Sequence, residues 1–296
     1  VKFVAFLLIG IFVWLPVGVL PETAAKAKPA RFSVTVEPAL PVNGSPVLFR
    51  VKTDQALKSL AGTWLGHRVA FNFDLSNGEW YGFAGIDLAT KAGRHALQLE
   101  GALTVGGRSA FTEFVTVRSA QYPSSRLRVA RKFLDPDAET LERIKEEQAI
   151  KREVFRRVGS NRLWNGDFVA PVNNIVTEPF GVRRVFNGKL QSTHQGLDFR
   201  AALGTPVKAM NSGEVILARE MFFEGGLVVV DHGQGLLTMY LHLSEFKTAE
   251  GDRVAKGQVI AMSGATGRVT SEHLHVAVRW QGEYLDPGTL LTMKLP

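Results

Sequence analysis

Apolar residues recur at every second position along much of this chain, in short runs cut by turn signals. Phe32, Val34 and Val36 alternate with Ser33, Thr35 and Glu37, and Val47, Phe49 and Val51 repeat the pattern. Val69, Phe71 and Phe73 follow, then Leu97 and Leu99, then Val115 and Val117. Side chains alternate faces along a strand, so a period of two predicts strands with one face buried. Val42-Asn43-Gly44-Ser45-Pro46, Ser76-Asn77-Gly78 and Gly106-Gly107 supply the turns. Strands are predicted again over 206–210, 213–218, 227–231, 236–242, 259–262 and 273–280, between glycine-rich turns. The fold class is therefore mainly β.

A length of 296 residues exceeds one ordinary domain, and an apolar fraction of 45% suffices for a sizeable core. Short strands at the spacing seen in 28–118 predict an N-terminal immunoglobulin-like β-sandwich. It has the architecture only, since the chain has no Cys to form the antibody-type disulfide. Residues 119–160 read as a linker with a helix over 135–158, docked on one or both domains. Asp135 is placed to cap that helix, Pro136 to open it and Gly159 to end it. Glu139/Arg143, Glu147/Lys151 and Glu153/Arg157 are spaced as i,i+4 pairs on a solvated face. Leu141, Ile144, Val154, Phe155 and Val158 form a partial apolar stripe. The basic cluster Arg126, Arg128, Arg131 and Lys132 lacks aromatic interleaving or a binding motif, so no nucleic-acid partner is expected.

Residues 1–27 have the layout of a secretory signal peptide: Lys2, an uncharged run from Phe3 to Pro21, then Ala25-Lys26-Ala27. The run is also long enough for an uncleaved anchor, which would be the chain's one membrane contact. The expected location is the periplasm or cell envelope, with secretion as the alternative. With no Cys, thiol nucleophiles, lipidated Cys and thiolate metal sites are excluded; any metal must use His, Asp or Glu. A net charge of +7 suits an anionic surface, though solubility alone explains it as well.

The chemistry-bearing residues cluster after residue 190. His273 and His275, two apart on a predicted strand, point the same way. His194 and Asp198 form a His-x-x-x-Asp, and His242 stands alone between these motifs. Neutral imidazoles with a carboxylate are a ligand set for zinc, and a catalytic site keeps one position open for water. His232, in a predicted hairpin turn, and His67 and His95, in the N-terminal strands, are read as structural. Gly264 and Gly267 are read as permitting a tight turn before the His273 strand.

Residues 170–290 resemble the lysostaphin-type (LytM-like) zinc metallopeptidases. The resemblance runs through Glu178-Pro179-Phe180-Gly181-Val182-Arg183, His194-Gln195-Gly196-Leu197-Asp198-Phe199 and Gly204-Thr205-Pro206-Val207. It continues through Val230-Asp231-His232-Gly233, Met239-Tyr240-Leu241-His242-Leu243-Ser244, Ser263-Gly264-Ala265-Thr266-Gly267 and His273-Leu274-His275. It implies a C-terminal antiparallel β metallopeptidase domain over 161–296. It further implies one Zn2+ per chain, held by His194, Asp198 and His275, with His242 and His273 as catalytic residues. His273 is assigned as base and His242 as transition-state stabiliser, an order that spacing does not decide. The implied substrate is peptidoglycan, cut in stem peptides or cross-links. Between Phe180 and His194 there is no Tyr, only Arg183, Arg184 and Lys189 as notable polar residues. That favours direct D-amino-acid cross-links over glycine bridges and suits a substrate carrying carboxylates, unless Tyr240 or Tyr284 folds back. The competing readings are a non-catalytic regulator of other wall hydrolases and a secreted peptidase for glycine-rich proteins.

Overall fold

The computed structural model describes residues 29–127, 135–156, 159–186 and 190–296. The signal-like segment 1–27, and Arg128, Arg131, Lys132, Arg157, Val158 and Lys189, lie outside them. Among the described residues no helix is long and apolar enough to cross a membrane.

The alternating N-terminal runs fold into seven strands: β1 (Phe32–Glu37), β2 (Pro46–Thr53), β3 (Leu57–Trp64), β4 (His67–Asp74), β5 (Glu79–Gly85), β6 (Gly93–Leu103) and β7 (Arg108–Val117). They pair antiparallel in the order β1-β2-β5-β4-β3-β6-β7. Phe32 of β1 stacks on Phe111 of β7, so the two ends of the path meet. Strands β3 and β5 are absent from the alternation read in the sequence. β5 explains why: every residue of Glu-Trp-Tyr-Gly-Phe-Ala-Gly is buried. One face serves its own sheet, while Tyr81 and Phe83 lie against Trp164 of the second region.

The segment expected as a linker is more structured than that. β8 (Ser124–Leu127) pairs parallel with β10 (Arg183–Phe186), which pairs antiparallel with β11 (Leu190–Thr193). Between them come α1 (Ala138–Phe155) and β9 (Val176–Glu178). α1 starts two residues later than Asp135 and Pro136 predict. Asp137 is its cap, accepting a hydrogen bond from the Thr140 N–H. The charged face is only partly solvated. Arg143 pairs with Glu147, but Lys151 reaches away from the helix to Glu224, and Glu153 pairs with Arg156.

The remaining strands are β12 (Leu197–Phe199), β13 (Pro206–Lys208), β14 (Gly213–Met221), β15 (Gly225–Asp231), β16 (Leu236–Phe246), β17 (Arg253–Val254), β18 (Val259–Ser263), β19 (Leu274–Trp280) and β20 (Glu283–Leu285), before α2 (Pro287–Thr292). The main sheet runs β17-β14-β15-β16-β19-β12-β9. Its two faces feed different cores. Val228, Val230, Tyr240, Val276 and Val278 join a core continuous with the N-terminal sheet. Leu227, Val229, Met239 and Ala277 face the other way and pack under Val154 of α1. The period of two thus assigns alternate residues to alternate layers, and α1 covers the outer face of the second sheet.

Candidate metal centre and cleft

Cross-strand register builds the site. Glu178 of β9 pairs with Asp198 of β12, Asp198 with His275 of β19, and His275 with Leu241 of β16. Directly paired residues share a face, so one row across four strands carries a carboxylate and an imidazole to the same spot. His194 enters from the end of β11, its N–H bonded to the Val182 carbonyl. Gly196, midway along the His-x-x-x-Asp, is dictated by contact: a Cβ there would lie 2.4 Å from His275 Nε2 and 2.5 Å from the Val276 carbonyl oxygen.

Three side-chain atoms converge. His194 Nε2 is 3.0 Å from Asp198 Oδ1 and 3.0 Å from His275 Nδ1, and His275 Nδ1 is 2.7 Å from Asp198 Oδ1. The tautomer of His194 follows from its other side. Nδ1 sits 2.7 Å from the Pro179 carbonyl oxygen, which can only accept, so Nδ1 carries the proton and Nε2 presents a lone pair. Such a second bond is how proteins orient a metal-binding imidazole. The Asp198 carboxyl is buried, which by itself would raise its pKa. The close contacts of its Oδ1 with the His194 and His275 rings outweigh burial and hold it far below the usual carboxylate range. Burial depresses the pKa of His275, with Asp198 pulling the other way. Two imidazole nitrogens and a carboxylate oxygen aimed at one point, all three atoms within 4.8 Å of one another, suit a divalent cation such as zinc. Arg184, held by Glu178, donates to the second oxygen of Asp198 at 2.7 Å and leaves Oδ1 facing the histidines.

The other two histidines join this centre. His242 and His273 rings lie 4.9 Å apart, and His242 lies 6.1 Å from His275. A regular strand would not bring His242 there. Tyr240 and Leu243 both pack into the inner core, and Leu241 and His242 together oppose the single residue Leu227. This is a β-bulge, and His242 pays for it with a left-handed φ of 64°. The bulge turns its ring to the metal side. His242 Nδ1 donates to the Thr266 carbonyl oxygen at 2.9 Å, so Nε2 is an acceptor. Burial, then the neighbouring charges of His275 and His273, push its pKa down to about 3, so the ring is neutral. His273 Nδ1 faces the Ser271 carbonyl oxygen at 2.8 Å, and its Nε2 is 3.8 Å from Asp198 Oδ1.

All five residues singled out in the sequence therefore meet in one place. Asp198, His242 and His273 open on a cleft of about 320 Å3, lined also by Glu178, Arg184, Arg200, Arg268 and Glu272, with His194 and His275 behind them. Neither Tyr240 nor Tyr284 lines it. Tyr240 is fully buried, its oxygen accepting from the Met210 N–H, and Tyr284 packs against Arg279. His232 is structural: buried, it bonds the Ser212 carbonyl and the Thr238 hydroxyl. His67 packs at a tilt against Trp280 and His95 bonds the Lys91 carbonyl, both away from the cleft. Sequence reasoning did not foresee the Arg184–Asp198 contact or Thr266 as the partner of His242; Glu178 and Thr266 lay inside the motif blocks without a stated role.

Known proteins resemble this chain in the same region. A model of peptidase family M23 matches residues 192–287. The peptidoglycan DD-endopeptidase ShyA of Vibrio cholerae is 44% identical over 87 residues, 29% of this chain and 20% of that protein. The DD-carboxypeptidase/endopeptidase Mpg of Neisseria meningitidis is 38% identical over 112 residues, 38% of this chain and 26% of that protein. The chain thus spans a fifth to a quarter of the length of these curated relatives. A crystal structure of an M23 peptidase candidate from Pseudomonas aeruginosa superposes with a TM-score of 0.65 at 30% identity, covering 85% of this chain and 95% of that one.

Proposed function

The chain belongs to peptidase family M23, and we propose that it is a zinc-dependent metalloendopeptidase cutting peptide bonds in peptidoglycan. The observation that carries this reading is the meeting of His194, Asp198 and His275 with His242 and His273 at the edge of one cleft. Relatives named DD-endopeptidase and DD-carboxypeptidase/endopeptidase favour D-amino-acid cross-links as the target.

His194, Asp198 and His275 would hold the zinc. A zinc ion in that position supplies Lewis acidity, lowering the pKa of water toward about 7 and polarising the scissile carbonyl. The neutral Nε2 of His242 accepts a hydrogen bond from the attacking water and orients it. This alters the division read from the sequence, where His242 was the transition-state stabiliser; an imidazole with its proton committed to Thr266 accepts and does not donate. His273, whose Nδ1 faces the Ser271 carbonyl oxygen, takes the proton on Nε2 and passes it to the leaving amine. Arg184 keeps Asp198 oriented. Arg200 and Arg268 flank the cleft, where a substrate carboxylate would find them.

Residues 1–27 serve as the export signal in this reading. The N-terminal region is an immunoglobulin-like sandwich, supported by strand orders 1-2-5-4 and 3-6-7, which follow the ABED and CFG sheets of that architecture. It presents the peptidase region to the wall.

Digestion of purified sacculi by the chain, with and without a chelator, tests the function. Chelator-sensitive release of stem peptides, identified by mass spectrometry, is the expected result. Metal-loaded protein that releases nothing from sacculi but stimulates another wall hydrolase would replace this reading with the regulator.

A further inference from the structure

Helix α1 lies outside the residues matched by the family model, yet it reaches the candidate active site. The path starts at the turn between β14 and β15. Glu147 of α1, itself buried, accepts a hydrogen bond from the Phe222 N–H at 2.8 Å. One helical turn on, Lys151 forms an ion pair with the Glu224 carboxylate. Both partners are about four-fifths buried, so neither charge has free access to water. The backbone carbonyl of Glu224 then accepts the N–H of His242 at 2.9 Å.

That last bond closes the bulge that brings His242 to the metal side. A non-glycine residue at φ 64° is strained and persists only where its surroundings over-determine it. The surroundings here are two clamps. One is the 266–268 loop: Thr266 accepts from the His242 ring, its hydroxyl accepts from the Gly226 N–H and donates to the Leu243 carbonyl, and the Arg268 N–H bonds Phe223. The other is α1, which grips the same turn at Phe222 and Glu224.

We propose that α1 is a positioning element of the active centre: Glu147 and Lys151, through the 222–225 turn, hold His242 in the bulged conformation that directs its ring at the metal site. The proposal rests on the reading of His242 as a participant in hydrolysis. Glu147 and Lys151 touch no reacting atom; they are positioning residues. The design makes the peptidase site depend on a helix from the connecting segment, so displacement of that helix would switch off hydrolysis while the three metal ligands stay in place.

The test is a double-mutant cycle on the full chain. Lys151→Met should lower kcat by ~10–100-fold, the scale for a misplaced catalytic group, with KM and bound metal unchanged. In a His242→Ala background the same substitution should cost nothing further. Lys151→Arg, which keeps the charge, should recover most of the loss. Should Lys151→Met fold poorly, Glu147→Ala frees the other end of the turn and should give the same pattern. A second readout needs no activity: hydrogen exchange at the His242 amide should accelerate in Lys151→Met while exchange at the Asp198–His275 pairing stays protected. Equal kcat losses with and without His242, or unchanged exchange at His242, would overturn the proposal. If the wild-type chain hydrolyses nothing, the functional reading fails, and the exchange measurement alone decides whether α1 holds His242.

Discussion

The two β regions of this chain use the same strand period to different ends. In the N-terminal sheet, alternation separates a dry inner face from a wet outer one, and few polar side chains are buried: Ser45, Glu79 and Ser109. In the second sheet both faces are covered, and the buried polar set is His194, Asp198, Asn211, His232, Thr238, His242 and Ser263. A buried polar group costs stability unless it is bonded. The second region bonds each histidine of that set to a backbone carbonyl, which fixes its tautomer as well as its position. A scaffold can be built from apolar burial alone, whereas a site needs polar groups that burial would otherwise expel.

Removing the metal should separate the regions most sharply. His194→Ala or His275→Ala should abolish stoichiometric metal binding and lower hydrolysis by at least about 10^3-fold. Elemental analysis and muropeptide release check this, and circular dichroism should show the N-terminal strands undisturbed. If either variant retains one tightly held metal per chain, the ligand assignment is wrong.

The next effect concerns the boundary. Trp164 is buried between Tyr81, Phe83 and Phe168, and the main core runs through both regions. Trp164→Ala should cost about 3–5 kcal/mol in urea unfolding and lower the cooperativity between the regions. A loss below 1 kcal/mol would mean that the shared core is not coupled.

A pH effect should belong to the second region. Burial pushes the His232 pKa down to about 4 from an ordinary 6.5. The unfolded chain therefore binds the proton more readily, and stability is full above pH 6.5 and falls as pH drops toward 4. The loss from this residue should approach about 3 kcal/mol. His232→Gln should flatten that slope in melting temperature between pH 7 and 4; an unchanged slope would remove His232 as its source. The smallest effect should come from the turn between β4 and β5 of the first region. Leu75 is 89% exposed, and Leu75→Ser should change stability by less than about 0.5 kcal/mol.

The legibility of the sequence follows the same division. Strands with one wet face, such as Phe32–Glu37, announce themselves by alternation. β5 does not, because Tyr81 and Phe83 are covered by a residue more than 80 positions away in sequence. The helix was legible from charge spacing, but its cap shifted to Asp137, where the side chain reaches Thr140. The candidate trio His194, Asp198 and His275 was legible through the motif blocks that carry the family resemblance, and the fold brings the three together. Contacts set by register or by a bulge were not: Arg184 on Asp198, Thr266 on His242 and Lys151 on Glu224 join residues that only the folded sheet makes neighbours.

The account turns on one metal at His194, Asp198 and His275 doing the work. Titrating metal-free protein with zinc, while following bound metal and cleavage of sacculi together, tests it most directly. Cleavage that rises in proportion to zinc and stops at one equivalent per chain is the predicted result. Zinc that binds at one equivalent without cleavage, or cleavage that persists in the metal-free protein, would contradict it.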